Sequence, residues 1–115
     1  MAELVTLGNT YKTIAAAPNV QTGETVAAAV FDGTGGTITT DGDRNVSSIS
    51  KVSAGRYKVN FRRPVPLAHR VVSVSLNGAG SGFVFAEDET SVTINTVNPA
   101  GTQTDFGRIM LTVSI

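Results

Sequence analysis

Cysteine is absent from the 115 residues, which excludes disulfide staples, thiolate-bound zinc and thiol nucleophiles together. Tryptophan is absent too, and only seven aromatic side chains (two Tyr, five Phe) and four prolines are present. Neither sign of charge dominates: nine Lys and Arg balance nine Asp and Glu. With no global field to attract a polyanion, nucleic acid is not an expected partner. No apolar run is long enough to cross a membrane, and Glu3 stands where a secretory signal needs a basic region. Synthesis in the cytoplasm without membrane insertion is therefore expected. A chain of this length supports one core and not two, since folding buries roughly two thirds of the extended-chain surface. Without disulfides, stability must come from packing or from assembly.

What is abundant is Thr, with fifteen residues, beside nine Ser and twelve Gly. This is the material of β-branched strands and tight turns. Over residues 56–62, Tyr57, Val59 and Phe61 fall on one face and Arg56, Lys58, Asn60 and Arg62 on the other, as a half-buried strand requires. The same period of two recurs in Val72, Val74 and Leu76, in Val92 and Ile94, and in Ile109, Leu111, Val113 and Ile115. Turn chemistry separates the runs: residues 32–36 (DGTGG), Asp41-Gly42, Ser53-Ala54-Gly55, Asn77-Gly78 and Asn98-Pro99-Ala100-Gly101. The fold class expected is all-β, an antiparallel β-sandwich over residues 25–115.

Residues 1–24 behave differently. Leu4, Val5 and Leu7 precede a run of three alanines, Ala15 to Ala17, that ends at Pro18. A strand, a short helix and an extended arm all remain open. An arm or edge strand is favoured, because Thr13 and Ile14 weaken a helix and Pro18 ends one early. Such an arm can add a strand to another chain or pack on its own domain.

Candidates for chemistry are few. His69 is the sole histidine, set in a proline-bounded loop, and no serine occupies a nucleophile elbow. The Asp41-Gly42-Asp43-Arg44-Asn45 spacing opens like a calcium loop, but Val46 and Val52 stand where its glycine and glutamate belong, so a polar turn is expected and no metal site. Glu87, Asp88 and Glu89 fit a solvated hairpin turn, and Gly78, Gly80 and Gly82 lack the spacing of a phosphate-binding loop. Arg62 and Arg63 are one adjacent basic pair, expected in an ion pair or a subunit contact. Rings able to stack on a sugar reduce to Tyr11, Phe83, Phe85 and Phe106 once Tyr57 and Phe61 are assigned to the buried face. No enzyme activity and no cofactor are expected.

Three blocks in order, Phe31-Asp32-Gly33-Thr34-Gly35, Asn45-Val46-Ser47-Ser48-Ile49 and Gly55-Arg56-Tyr57-Lys58-Val59-Asn60-Phe61, followed by Pro66 and an apolar strand over 71–76, resemble a recurrent domain of bacteriophage tail fibres and related virion fibre proteins. The resemblance runs from about Ala28 to the C-terminus. The family commonly carries a tryptophan before the first block and a tyrosine opening the strand after the proline. This chain has Ala28 or Ala29 and Arg70 there. The resemblance implies a homotrimeric β-sandwich in a virion, with residues 1–24 as a possible anchor to another phage virion protein and the domain contributing to host attachment through a surface glycan. Capsid decoration, or a neck or collar role without a receptor, is the alternative. Ligand loops in such a domain are expected at 41–44, 78–82 and 98–103.

Overall fold

The computed structural model describes residues 24–115, so the arm expected over 1–24 lies outside the described residues apart from Glu24. The described chain is all-β, with eight strands and no helix: β1 (Thr25–Phe31), β2 (Thr40–Arg44), β3 (Val46–Ser53), β4 (Arg56–Phe61), β5 (Val71–Leu76), β6 (Ser81–Asp88), β7 (Ser91–Val97) and β8 (Ile109–Ser114). They form two antiparallel four-stranded sheets, ordered β2-β1-β8-β5 and β3-β4-β7-β6, which pack face to face as a β-sandwich.

The alternation in the sequence translates directly into layers. Tyr57, Val59 and Phe61 of β4 point inward with Val92 and Ile94 of β7, against Ala27, Ala29 and Phe31 of β1 and Ile109, Leu111 and Val113 of β8. Burying each of the larger aliphatic side chains contributes about 1.5–3 kcal/mol. Phe31 and Tyr57 meet edge to face, with ring centroids 5.4 Å apart. Val72, Val74 and Leu76 of the edge strand β5 complete the interior half-buried. At the sandwich margin β5 approaches β6 so closely that any side chain at Gly82 would collide with Val74.

Three sequence expectations are corrected. Residues 41–44 are not a turn or loop but lie in β2, where backbone pairing to β1 outweighs their poor strand propensity on a solvated edge. The chain bends instead at Asn45, at φ +56°, as it passes from one sheet to the other, and the side chain there clamps Arg63: its Oδ1 accepts from the Arg63 N–H at 2.9 Å and its Nδ2 donates to the Arg63 carbonyl at 3.1 Å. Of the acids expected in a turn, Glu87 and Asp88 extend β6, leaving Glu89 and Thr90 to turn. Asp88 shapes that turn by accepting hydrogen bonds from the Thr90 N–H and hydroxyl and from Ser91 Oγ. Ser81 and Gly82, expected in a loop over 78–82, already belong to β6.

Arg70 is an arginine drawn inside. Its side chain is 2% exposed, donates to Glu87 Oε1 at 3.0 Å and to the Val65 carbonyl, and lies 5.4 Å from the centre of the Phe61 ring. It closes the sandwich margin between the loop over 62–70 and β6.

Two stability outcomes follow from this packing. Tyr57→Ala or Phe61→Ala is expected to cost about 3–5 kcal/mol in urea unfolding, and a loss under about 1 kcal/mol would contradict the burial of that face. Gly55→Ala is expected to be severely destabilising as well, because Gly55 sits at φ +70° and a Cβ would meet Thr104 N and Thr96 O at 2.6 Å. Near wild-type stability in that variant would show that the turn can relax.

Candidate functional site

The residues singled out from the sequence are scattered. His69 lies exposed in the loop over 62–70, at φ +62°, with no hydrogen bond to a serine or acid among the described residues. Asp41 and Asp43 follow the strand rather than wrapping around a point. Asp43 accepts from Thr40 Oγ1 at 3.0 Å and stands 3.8 Å from Arg62, giving that arginine the expected acidic neighbour. Arg63 and Arg44 flank a cleft of about 400 Å³ together with Glu24 and Asn45. Among the described residues no three His, Cys, Asp or Glu side chains converge. Of the candidate ligand loops, only residues 98–103 keep the form expected, a turn around Asn98 whose Oδ1 accepts from the N–H groups of Ala100 and Thr102.

Two constellations remain. The first is a polar cluster at the start of β4. The Tyr57 hydroxyl, carried inward, donates to Asp105 Oδ1 at 2.7 Å, with the Gly33 carbonyl oxygen at 2.8 Å as a second acceptor. Asp105 also accepts from the Gly55 N–H at 2.8 Å and from Lys51 Nζ at 2.7 Å, and Lys51 donates onward to the carbonyls of Gly33 and Gly35. Burial works to raise the Asp105 carboxyl, but hydrogen bonds from Lys51, Gly55 and Tyr57 outweigh it and hold it below the ordinary aspartate value. Burial, reinforced by Asp105, pushes the Tyr57 phenol far up, so it stays a neutral donor. Every contact in the cluster joins one chain segment to another, which marks it as a tie that holds the Gly-rich loop and the segment before β8 onto the sheet. Asp105 carried no signal in the sequence: its partners lie 48 to 54 residues away.

The second constellation is on the outer face of the β3-β4-β7-β6 sheet. Because β4, β7 and β6 pair in register, Arg56, Asn95 and Phe83 form one row across three strands. A bulge then inserts Phe85 between the Val84–Ile94 and Ala86–Thr93 pairs. Phe83 and Phe85 are half exposed, at 48% and 53%. The Arg56 guanidinium carbon lies 3.7 Å from the centre of the Phe85 ring, and Arg56 Nε donates to Asn95 Oδ1 at 2.8 Å. Asn95 is itself buried, at 6% exposure. Lys58 stands in the next row, paired across to Ser50 and Thr93. The result is a flat patch of two exposed rings beside a cation fixed in position. Phe83 and Phe85 were nameable from the sequence as rings left outside the core; Arg56 and Asn95 as their neighbours were not.

Comparison with known protein families, with characterised proteins and with solved structures finds no match.

The polar cluster generates a pH outcome. Asp32 and Asp88, held down by hydrogen bonds from Thr34 and Thr90 respectively, share the depressed direction of Asp105. A carboxyl lowered in the folded state adds stability above its unfolded value, near 3.8, and loses it as pH falls through the lower folded value. The melting temperature should therefore hold from neutral pH down to about 5 and drop below about 4. Asp105→Asn should cost about 1–3 kcal/mol at pH 7 and make that acid drop smaller. An acid drop unchanged in the variant would remove Asp105 from the account.

Proposed function

We propose that this protein is a bacteriophage virion structural protein of the tail-fibre type, an outward-facing β-domain assembled as a homotrimer that contributes to host-surface attachment. In this reading residues 1–24 dock the domain on another virion protein. The observation that carries the attachment role is the patch of Phe83, Phe85 and Arg56. Exposed rings on a rigid sheet are the usual means of gripping the apolar face of a sugar ring, and loops are not needed to place them. A decoration or collar role without a receptor leaves this patch unexplained.

The opposite sheet offers a surface suited to assembly. On its outer side Val30 and Ser75 flank Met110 across β1, β8 and β5, with Ala28, Thr112 and Ser73 in the row beside them. Val71 and Met110 are exposed there, at 61% and 45%. A flat face of small and apolar side chains on a domain this size supports packing against other copies. Three copies would then present three patches, so contacts too weak alone would add through avidity.

The test is binding of the purified protein to host cells, read together with its solution mass. A mass of three times the 11.9 kDa chain, cell binding, and at least about a tenfold loss of binding in Phe83→Ala/Phe85→Ala at unchanged mass are expected. A monomer would overturn the trimeric part. Full binding by the double variant would overturn the attachment role of the patch.

A further inference from the structure

Resting on the attachment reading above, we infer that the outer-face patch recognises an acidic sugar, with the carboxylate held by Arg56 and the sugar ring resting against Phe83 and Phe85. Three features of the patch point to this chemistry.

The first is the state of Arg56. Its guanidinium is laid against the Phe85 ring and tied through Nε to Asn95 Oδ1. That leaves the two terminal amino groups as the outward donors of a planar fork, the geometry that grips a carboxylate through two parallel hydrogen bonds. The ordering of a long side chain, normally part of the cost of binding, is already met in the free protein.

The second is charge. The ion pairs among the described residues are Lys51 with Asp105, Arg62 with Asp43, and Arg70 with Glu87. Arg56 and Lys58 are in none of them. The acids nearest along β6 are committed: Glu87 to Arg70, and Asp88 to Thr90 and Ser91. The face thus carries two cations with no described acid paired to either, on a chain whose charges cancel overall.

The third is the combination with exposed rings. A small inorganic anion would use the arginine and ignore Phe83. A neutral sugar would use the rings and leave the cations unanswered. A nucleic acid strand offers both bases and phosphates, but two cations on a chain of zero net charge are a poor match for a polyanionic backbone. A sugar bearing a carboxylate uses every part of the patch.

Affinity electrophoresis of the intact protein through gels containing polygalacturonate, and through gels containing the same polymer fully methyl-esterified, tests this, with mobilities normalised to polysaccharide-free gels. Retardation by the acid polymer and little by the ester is expected. Arg56→Gln should weaken that retardation about tenfold or more. Arg56→Lys, which keeps the charge but loses the fork, should weaken it nearly as much, and both variants should melt within a few degrees of the parent. Equal retardation by acid and ester, or full retardation of Arg56→Gln, would overturn the inference. Host-cell binding that is lost in Phe83→Ala/Phe85→Ala but kept in Arg56→Gln would overturn it while leaving the attachment reading standing. Absence of host-cell binding in the parent protein would instead defeat the attachment reading.

Discussion

A phenol carried into a protein interior has to find an acceptor, and in this domain the acceptor found by Tyr57 organises much of what surrounds it. The ring belongs to the core, edge-on to Phe31, yet the hydroxyl reaches the margin where the loop after β1 and the segment before β8 pass. Asp105 meets it there, Lys51 neutralises Asp105, and the spare donors of Lys51 take up the carbonyls of Gly33 and Gly35. Three stretches far apart in the chain, the loop at 33–35, the β3–β4 hairpin and Asp105, are joined by one connected set of hydrogen bonds. In a low-dielectric margin such a set is worth having only when each member is satisfied. The three-sided coordination of Asp105 meets that condition.

The far end of β4 is closed by different means. Phe61 lies under the Arg70 guanidinium, which is tied to Glu87 and to the Val65 carbonyl, while Asn45 clamps the backbone at Arg63. A cysteine-free domain in which alanine and valine make up half of the core has limited apolar area to bury. Polar ties at both ends of the central strand compensate by fixing the loops that would otherwise open the sandwich.

The same strand links fold to recognition. Tyr57 and Arg56 are adjacent, so the tie that holds Tyr57 from inside also holds the backbone from which Arg56 projects outside. Arg56 then reaches across β7 to Asn95 and Phe85, and the bulge in β6 sets Phe85 beside it. A site built this way rests on paired strands rather than on loops, which favours a rigid surface over an adaptable one. It also means that the sequence blocks over residues 31–35, 45–49 and 55–61 serve mainly as scaffold, with Arg56 and Lys58 turned to the outer face.

Strand identity was legible wherever one face is buried, because side chains alternate across a strand and only a buried face imposes that alternation on residue choice. Hence β4 and β8 stand out in the chain, and the layers they occupy follow. The edge strand β2 was hidden for the converse reason: both its sides are solvated, its residues are those of a turn, and pairing to β1 alone makes it a strand. Contacts between distant segments were equally hidden. Nothing local marks Asp105 as the partner of Tyr57, or Arg70 as a buried cation. The patch of Phe83, Phe85, Arg56 and Asn95 depends on the register of three strands and on one inserted residue, and a shift of a single position would turn its rings inward. The alphabet of strands and turns is written in the chain, whereas the neighbours across them are decided only when the sheets pair and pack.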